Sequence, residues 1–168
     1  DAVKTQKEFL EKFFIPELRE LKKDVFVIMG NDDFRINESI LKNNKNENIR
    51  YINKKRFNLF NKNIVGYSFV NPTPFRLKDW EKFEDEKKEI PKQLHDYEIR
   101  TIEKEKGTIK EDLSNFVRLS NPKKTIYVIH APPCNTKLDI TTSGTHVGSK
   151  SIRAFIEKEQ PYLALHGH

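Results

Sequence analysis

The sequence contains one cysteine, one methionine and one tryptophan among 168 residues, and it has no long apolar run. Because Cys134 is the only cysteine, an intrachain disulfide is excluded, and a reducing compartment is the simpler expectation. No segment approaches the roughly 20 consecutive apolar residues that a membrane-spanning helix needs. Residues 1–12 carry charges throughout, which is not typical of a secretory signal peptide. We therefore expect a cytoplasmic protein that does not enter a membrane.

The charge of the chain is basic overall. Lysine and arginine number 31 against 25 acidic residues, which gives a net charge of +6, and hydrophobic residues make up 36% of the sequence. This balance is typical of a globular domain, and its basic sign is compatible with anionic partners that include nucleic acid. The lysines alternate with glutamates instead of clustering with aromatic residues, which favours a solvated surface. Nucleic acid is therefore admitted as a partner but is not favoured.

The pattern of apolar residues predicts an α/β protein with one domain over residues 1–168. Helices are predicted over residues 5–23, 93–120 and 149–159, the second with an interruption near Gly107, and a short helix is predicted around Ser39–Lys42. Pro16 predicts a kink or a break in the first helix near Ile15. Strands are predicted at 25–29, 49–52, 56–60, 64–69, 125–129 and 162–165, of which the first and the last two are expected to be buried. Residues 71–92 contain three prolines and many charges, and we predict a surface excursion there with a short helix near Trp80.

Three of the predicted strands end abruptly at polar residues, namely Asn31-Asp32-Asp33, His130, and His166 with His168. Ligands of open α/β sheets bind outside the carboxyl ends of the strands, so we expect these residues to meet on one rim of one sheet. Imidazole nitrogens and amide oxygens are competent ligands for divalent transition metals. Two such ions about 3.5–4 Å apart can hold a phosphate group and activate a water molecule. The shared placement at strand ends therefore favours metal ligation by His130 and His168.

These residues also carry a family resemblance. The segment Gly30-Asn31-Asp32-Asp33 is similar to the Gly-Asn-His-Asp motif of calcineurin-like metallophosphoesterases, and His130 with Ala131-Pro132-Pro133 resembles their lone-histidine motif. Gly167-His168 resembles the opening of their Gly-His-x-His motif, and residues 145–149 resemble small phosphoesterases of the superfamily. The resemblance runs from about residue 24 to the end. It implies the four-layer α/β/β/α sandwich of this superfamily, incomplete at both ends.

The resemblance assigns roles to particular residues. It implies that Asn31, His130 and His168 are ligands of one of two divalent ions, with Mn, Fe, Zn, Ni and Mg as candidates. Asp32 and Asp33 are the predicted catalytic residues, and Asp33 is expected to orient its neighbours through hydrogen bonds. The predicted substrate-binding residues are His146, Gly148, Ser149 and Arg76. His166 precedes the motif glycine and is not assigned as a ligand.

Two of these substrate-binding predictions have structural alternatives. Gly148 and Ser149 precede a predicted helix, where free backbone N–H groups bind anions, but Ser149 is equally suited to be an ordinary N-cap residue. Arg76 lies in a region where relatives place substrate-contacting insertions, and local packing against aromatic residues is the alternative.

The chain departs from the family pattern in two ways. The Asp-x-His and Gly-Asp-x-x-Asp motifs and the last histidine of Gly-His-x-His are not present, so the sequence as written supplies about half of a dinuclear site. Asp32 stands where the family has a histidine near the leaving group. A carboxylate beside cations is biased toward its ionised form and is a poor proton donor. Phosphodiesters with good leaving groups need less protonation, so phosphodiesters are favoured over monoesters.

Three functions follow from these observations. The first is hydrolysis of small phosphate esters, more so phosphodiesters, by a metal-activated water molecule. The second is an inactive scaffold or protein-binding module of the same fold, which the change at Asp32 allows. The third is a nuclease of the same fold, which the basic charge allows.

Overall fold

The computed structural model describes residues 1–87, 92 and 95–168. Its helices are α1 (Ala2–Phe9), α2 (Ile15–Glu20), α3 (Glu38–Lys42), α4 (Ile109–Leu119) and α5 (Lys150–Glu159). Its strands are β1 (Val25–Val27), β2 (Ile49–Tyr51), β3 (Arg56–Leu59), β4 (Lys62–Tyr67), β5 (Thr125–Ile129) and β6 (Leu163–His166). A π-helical turn (Leu10–Phe14) joins α1 to α2, and short 3-10 turns cover Arg35–Asn37 and Pro122–Lys124. In the described part of the chain, no helix combines the length and the apolar character that crossing a membrane requires.

The strands form two hydrogen-bonded sheets. Strand β1 pairs in parallel with β2, and the second sheet has the order β3-β4-β5-β6, in which β3 is antiparallel to β4 and the other pairs are parallel. The sheets are joined at Gly66, whose N–H donates to the Ile52 carbonyl at 3.2 Å and whose carbonyl accepts from Lys54 at 2.8 Å. A Cβ atom at Gly66 would lie 2.6 Å from the side chains of Ile28 and Ile52, so only glycine permits this approach. The chain therefore has the predicted α/β architecture, and the layered sandwich is consistent with it.

The predicted break near Pro16 takes the form of a widened turn rather than an interruption. Proline lacks an N–H group and its ring collides with the carbonyl four residues earlier in a regular helix. The N–H of Ile15 donates to the carbonyl of Leu10, five residues earlier, and Pro16 follows as one of the first residues of α2. The π-helical turn thus admits Pro16 while the helical course continues from Ala2 to Glu20.

The prediction of a surface excursion around Trp80 is wrong. Trp80 has no exposed surface, and no helix forms there. The backbone of Val70 pairs with that of Trp80 and Lys82, which holds residues 70–82 against the end of β4. The charges in this segment misled the sequence argument because Lys78 and Glu81 form a buried ion pair at 3.1 Å.

The predicted helix over residues 93–120 is also shorter than expected. Helix α4 begins at Ile109, after a capping box in which Thr108 accepts from the N–H of Glu111 and the Glu111 carboxylate accepts from the N–H of Thr108. Gly107, with a φ of +85°, precedes this cap. Residues 95–108 are not helical, and residues 93 and 94 lie outside the described residues.

An aromatic chain runs through the core between the four-stranded sheet and helices α4 and α5. Ring centroids lie 5.1–6.2 Å apart along the series Trp80, Phe69, Tyr67, Phe116, Tyr127 and Phe155. Packing of this kind fixes β4 and β5 against the helices. The carboxyl ends of both strands are therefore held in a defined position.

The strand ends that carry the candidate site belong to two sheets rather than one, which corrects the expectation of a single rim. Strand β1 precedes Asn31 in the two-stranded sheet, whereas β5 and β6 precede His130 and His168 in the four-stranded sheet. Strand β6 was expected to be buried, but Leu163 and Leu165 are exposed because no described element covers that face. The strand ends still meet along one edge, because the two sheets are joined at Gly66.

A partly buried charge cluster connects the segment after β2 with α4. Nζ of Lys82 lies 2.8 Å from Asp112 and 2.9 Å from Glu105, and Lys54 lies 2.9 Å from Asp112. Lys54 and Arg35 also contact Glu105 directly. Burial acts to raise the pKa of Glu105, but hydrogen bonds and the charges of Lys54 and Lys82 lower it to about 2.

This cluster predicts an acid-dependent stability. The pKa of folded Glu105 lies below its ordinary value, so its contribution is complete above about pH 4.5 and is lost as the pH falls toward 2. Glu105→Gln should lower the free energy of unfolding by about 2 kcal/mol at pH 7, because charged hydrogen bonds are removed. Urea unfolding at pH 7 and below pH 4 measures this difference, which should shrink at low pH. The exposed variant Glu103→Gln is the matched control, and an equal effect there would contradict the assignment.

Candidate metal centre

Three polar side chains from distant parts of the chain meet at one atom. Oδ1 of Asn31 lies 2.9 Å from Nε2 of His130 and 2.8 Å from Nδ1 of His168. The two imidazole rings have centroids 5.1 Å apart and an interplanar angle of 67°. The residues that the sequence predicted as metal ligands therefore lie together around one position.

The turn after β1 is built to present Asn31. The N–H of Asp33 donates to the carbonyl of Gly30 at 3.1 Å, and the Asp33 carboxylate accepts from the N–H of Gly30 at 2.7 Å. Gln6 of α1 donates to the other oxygen of Asp33 at 3.0 Å. Burial raises the pKa of Asp33. Asp33 thus ties the turn to itself and to α1, and Asn31 is buried at its centre.

The ring of His130 lies between two glycines. The N–H of His130 donates to the Tyr67 carbonyl at 2.9 Å, which continues the pairing of β4 with β5 by one residue. A Cβ atom at Gly30 would lie 2.5 Å from the His130 ring, and one at Gly167 would lie 3.3 Å from Nδ1 of the same ring. The motif glycines therefore leave the space that the imidazole needs.

The electrostatic surroundings keep these imidazoles neutral near pH 7. Burial and the neighbouring His168 lower the pKa of His130 to about 4, and burial also lowers the pKa of His168. Asp32 is exposed and accepts a hydrogen bond from Nδ2 of Asn31 at 3.1 Å, which directs Oδ1 of Asn31 toward the two rings. Neutral nitrogens and an oriented amide oxygen are the form of these groups that binds a divalent metal ion.

The donor set fits one divalent ion of the transition series. No group of three or more His, Cys, Asp or Glu side chains within residues 1–87, 92 and 95–168 could hold a metal ion by itself. The amide of Asn31 is therefore part of any set of three donors at this position. His166 stands apart from the set, because its Nδ1 contacts the Ala131 carbonyl at 2.8 Å and joins the ends of β5 and β6.

The predicted anion site at the start of α5 is filled by the chain itself. The carboxylate of Glu84 accepts from the hydroxyl of Ser149 at 2.8 Å and from the N–H groups of Lys150 and Ser151 at 2.9 and 3.0 Å. Ser149 has no exposed surface. The helix N-terminus does bind an anion, as expected on physical grounds, but this anion is an internal side chain rather than a substrate.

Gly148 and Ser149 are consequently structural parts of the fold. The N–H of Gly148 donates to Asp139 at 3.0 Å, and a Cβ atom at Gly148 would lie 2.6 Å from the Pro132 carbonyl. The hydroxyl of Ser149 accepts from the N–H of Ile152 at 3.1 Å. The N-cap alternative for Ser149 is therefore the one that the structure contains.

The two remaining predicted substrate-binding residues lie in different surroundings. Arg76 donates to the hydroxyl of Tyr97 at 2.7 Å and stacks over that ring at 4.6 Å, so it packs locally, and no contact among the described residues joins it to Asn31. His146 is exposed, and its Nδ1 lies 2.7 Å from the buried carboxylate of Asp139. Sequence reasoning missed both Asp139 and Glu84, because their partners could be identified only from the folded chain.

Comparison with known proteins places the chain in context. A family model described as calcineurin-like phosphoesterase matches residues 5–168. No match was found among curated proteins. One crystal structure shares the fold with a TM-score of 0.66 and 20% sequence identity over 99% of this chain. The chain spans 58% of the length of that solved chain.

The packing of His130 against Gly30 predicts a specific sensitivity. Gly30→Ala should displace the imidazole and weaken the affinity for Zn²⁺ by about 10- to 100-fold, the usual effect of losing a group that orients a ligand. Titration calorimetry of both proteins measures this affinity. Gly144→Ala is the control for backbone strain away from the site, because its φ is +79° and no atom lies within 4 Å of the added Cβ. Equal affinities in Gly30→Ala and the parent chain would show that the ring position does not matter.

Proposed function

Because the chain belongs to the calcineurin-like phosphoesterase family, we propose that it hydrolyses small phosphodiesters with the help of divalent metal ions bound at the rim of its two sheets. Members of this family are phosphoesterases that generally use divalent metals. Asn31, His130 and His168 are the proposed ligands in this chain. The observation that carries the proposal is the contact of both imidazoles with the single oxygen of Asn31.

In the proposed site, the fold holds the metal-binding side chains in fixed positions. A divalent ion bound there would activate a water molecule and offset the negative charge of the phosphate group. The protein contributes rigid donors, because Asn31 lies in a turn tied to α1 and His130 extends a paired strand. Ligands on such elements hold their geometry better than ligands on free loops.

A second divalent ion is part of the proposal. The resemblance to dinuclear enzymes supports it, whereas Asn31, His130 and His168 make up the donors of one ion. The exposed carboxylate of Asp32 lies beside Asn31 and offers an oxygen donor on the open side of the site. Titration calorimetry that counts bound ions distinguishes one site from two.

The preference for diesters is supported by the surroundings of Asp32. An oxygen of Asp32 accepts a hydrogen bond from Asn31, so the carboxylate acts as an acceptor in this position. Beside a bound cation a carboxylate favours its ionised form, which has no proton to give to a leaving oxygen. Substrates with stabilised leaving groups need less of that help, and aryl phosphodiesters are of this kind.

A small substrate is favoured over nucleic acid by the pairing of the basic side chains. Several surface lysines form ion pairs with glutamates four residues away in the chain, including Lys12 with Glu8 at 3.7 Å and Lys42 with Glu38 at 2.8 Å. Such pairs reduce the charge that is free to contact a phosphate backbone. Binding of single-stranded DNA that rises with length and falls steeply with salt would instead favour the nuclease alternative.

The proposal predicts the effect of removing one ligand. With Mn²⁺ present, His130→Ala should lower kcat/KM for bis(4-nitrophenyl) phosphate by about 100-fold or more, because the metal site loses a nitrogen donor. Absorbance of released nitrophenol measures the rate, and 4-nitrophenyl phosphate in the same assay should be the poorer substrate. His95→Ala is the matched control, since His95 lies outside the candidate site.

The outcomes separate the candidate functions. Turnover by the parent chain that His130→Ala loses and His95→Ala retains supports a metal-dependent phosphodiesterase. Metal binding without turnover of either substrate contradicts the enzyme and favours the scaffold. Equal turnover by all three proteins contradicts the proposed site.

A further inference from the structure

The loop between β5 and α5 is firmly held at its base. The N–H of Ser149 donates to the Pro132 carbonyl at 2.9 Å, and the N–H of Cys134 donates to the Ser149 carbonyl at 3.0 Å. Arg153 of α5 donates to the carbonyls of Cys134 and Asn135 at 3.0 and 2.6 Å. The loop starts directly after His130, so its base stands on the rim that carries the candidate metal centre.

Asp139 organises the inside of this loop. One oxygen accepts from the N–H of Thr136 at 2.9 Å and from Nδ1 of His146 at 2.7 Å, and the other accepts from Asn135 and Gly148 at 3.0 Å each. The side chain of Asp139 is fully enclosed. Burial acts to raise the pKa of Asp139, but these hydrogen bonds lower it to about 2. A buried carboxylate with four donors is ionised and rigidly placed.

This arrangement fixes which nitrogen of His146 is free. An ionised carboxylate only accepts hydrogen bonds, so Nδ1 of His146 carries the proton that faces Asp139. Nε2 then points away from the carboxylate, and the side chain is 38% exposed. Each oxygen of Asp139 accepts two hydrogen bonds. Among the described residues, Nε2 of His146 has no hydrogen-bond partner.

The loop that carries His146 is joined to the segments that follow β4 and β5. Asn71 follows the end of β4 and donates to the carbonyl of Val147 at 3.1 Å. Strand β4 pairs in parallel with β5, whose end leads to His130. The loop that carries His146 is thus anchored at the carboxyl-end side of both strands, the side on which ligands of α/β sheets bind.

We propose that His146 contacts the phosphate group of the substrate through Nε2 and that Asp139 is the positioning residue that aims it. This inference rests on the proposed function. When the substrate binds, the negative charges of Asp139 and of the phosphate together favour uptake of a proton from solvent at Nε2, and the resulting Nε2–H donates to a phosphate oxygen. The hydrogen bonds that Asp139 accepts from backbone N–H groups prevent the carboxylate from turning away with the ring. The contact supplies a cationic donor for the phosphate that does not depend on the metal ligands.

Kinetics of single and double variants test both roles. His146→Gln should raise KM for bis(4-nitrophenyl) phosphate about 10- to 100-fold with a small change in kcat, because a charged hydrogen bond to the substrate is lost. Asp139→Asn should shift KM in the same direction. The double variant should be no worse than His146→Gln, since Asp139 acts through His146. His95→Gln is the matched control.

Nuclear magnetic resonance provides a readout that does not depend on turnover. Long-range ¹H–¹⁵N spectra of the metal-free chain should show His146 protonated at Nδ1, and Asp139→Asn should move this proton toward Nε2 while backbone resonances outside the loop keep their positions. Dimethyl phosphate added to the Zn²⁺-loaded chain should then shift the His146 ring signals and leave those of His95 unchanged.

The outcomes distinguish this inference from the proposed function. An unchanged KM in His146→Gln, or no shift of His146 with dimethyl phosphate, overturns the substrate contact. Effects that add in the double variant, or an unchanged tautomer in Asp139→Asn, overturn the positioning role. Absence of turnover in the parent chain counts against the proposed function alone, and the dimethyl phosphate titration then decides whether His146 binds the phosphate.

Discussion

The structure depends on one constraint, the alignment of three strand ends so that two imidazoles meet the amide oxygen of Asn31. His130 and His168 lie 99 and 137 residues after Asn31 in the sequence, and the paired strands bring the three side chains to one point. The joint at Gly66 aligns the two-stranded sheet with the four-stranded sheet. The glycines at 30 and 167 then leave room for the His130 ring. Small residues at close approaches thus determine whether the site can form.

Two carboxylates of the chain accept hydrogen bonds from backbone N–H groups that could otherwise bind a solvent anion. Glu84 occupies the N-terminus of α5, and Asp139 takes the N–H groups of the preceding loop. Both carboxylates make the surrounding backbone rigid and keep solvent anions from those positions. Among the described residues, the Asn31 oxygen with its two imidazoles forms the candidate metal centre, and the His146 side chain is exposed. The proposed contact with a phosphate ester rests on these side chains.

Sequence patterns predicted those features that depend on local apolar runs and motif order. Strand β5 was located correctly because a continuous apolar run ends at His130, and the polar residues after three strands identified the candidate site. Trp80 was misplaced because the paired charges of Lys78 and Glu81 resemble a solvated surface until the fold buries them. Glu84 could not be recognised, since its partners at the start of α5 lie 65 to 67 residues further along the chain. Contacts of that range follow from the fold and leave no local signal.

The most direct test of the central claim is the anomalous scattering of crystals soaked with Mn²⁺ or Zn²⁺. We expect a peak about 2.0–2.3 Å from Nε2 of His130, Nδ1 of His168 and Oδ1 of Asn31, which is the usual range for such ligands. The three side chains would separate slightly to admit the ion. A peak elsewhere on the molecule, or no peak while the Asn31 hydrogen bonds to both rings persist, would contradict the account.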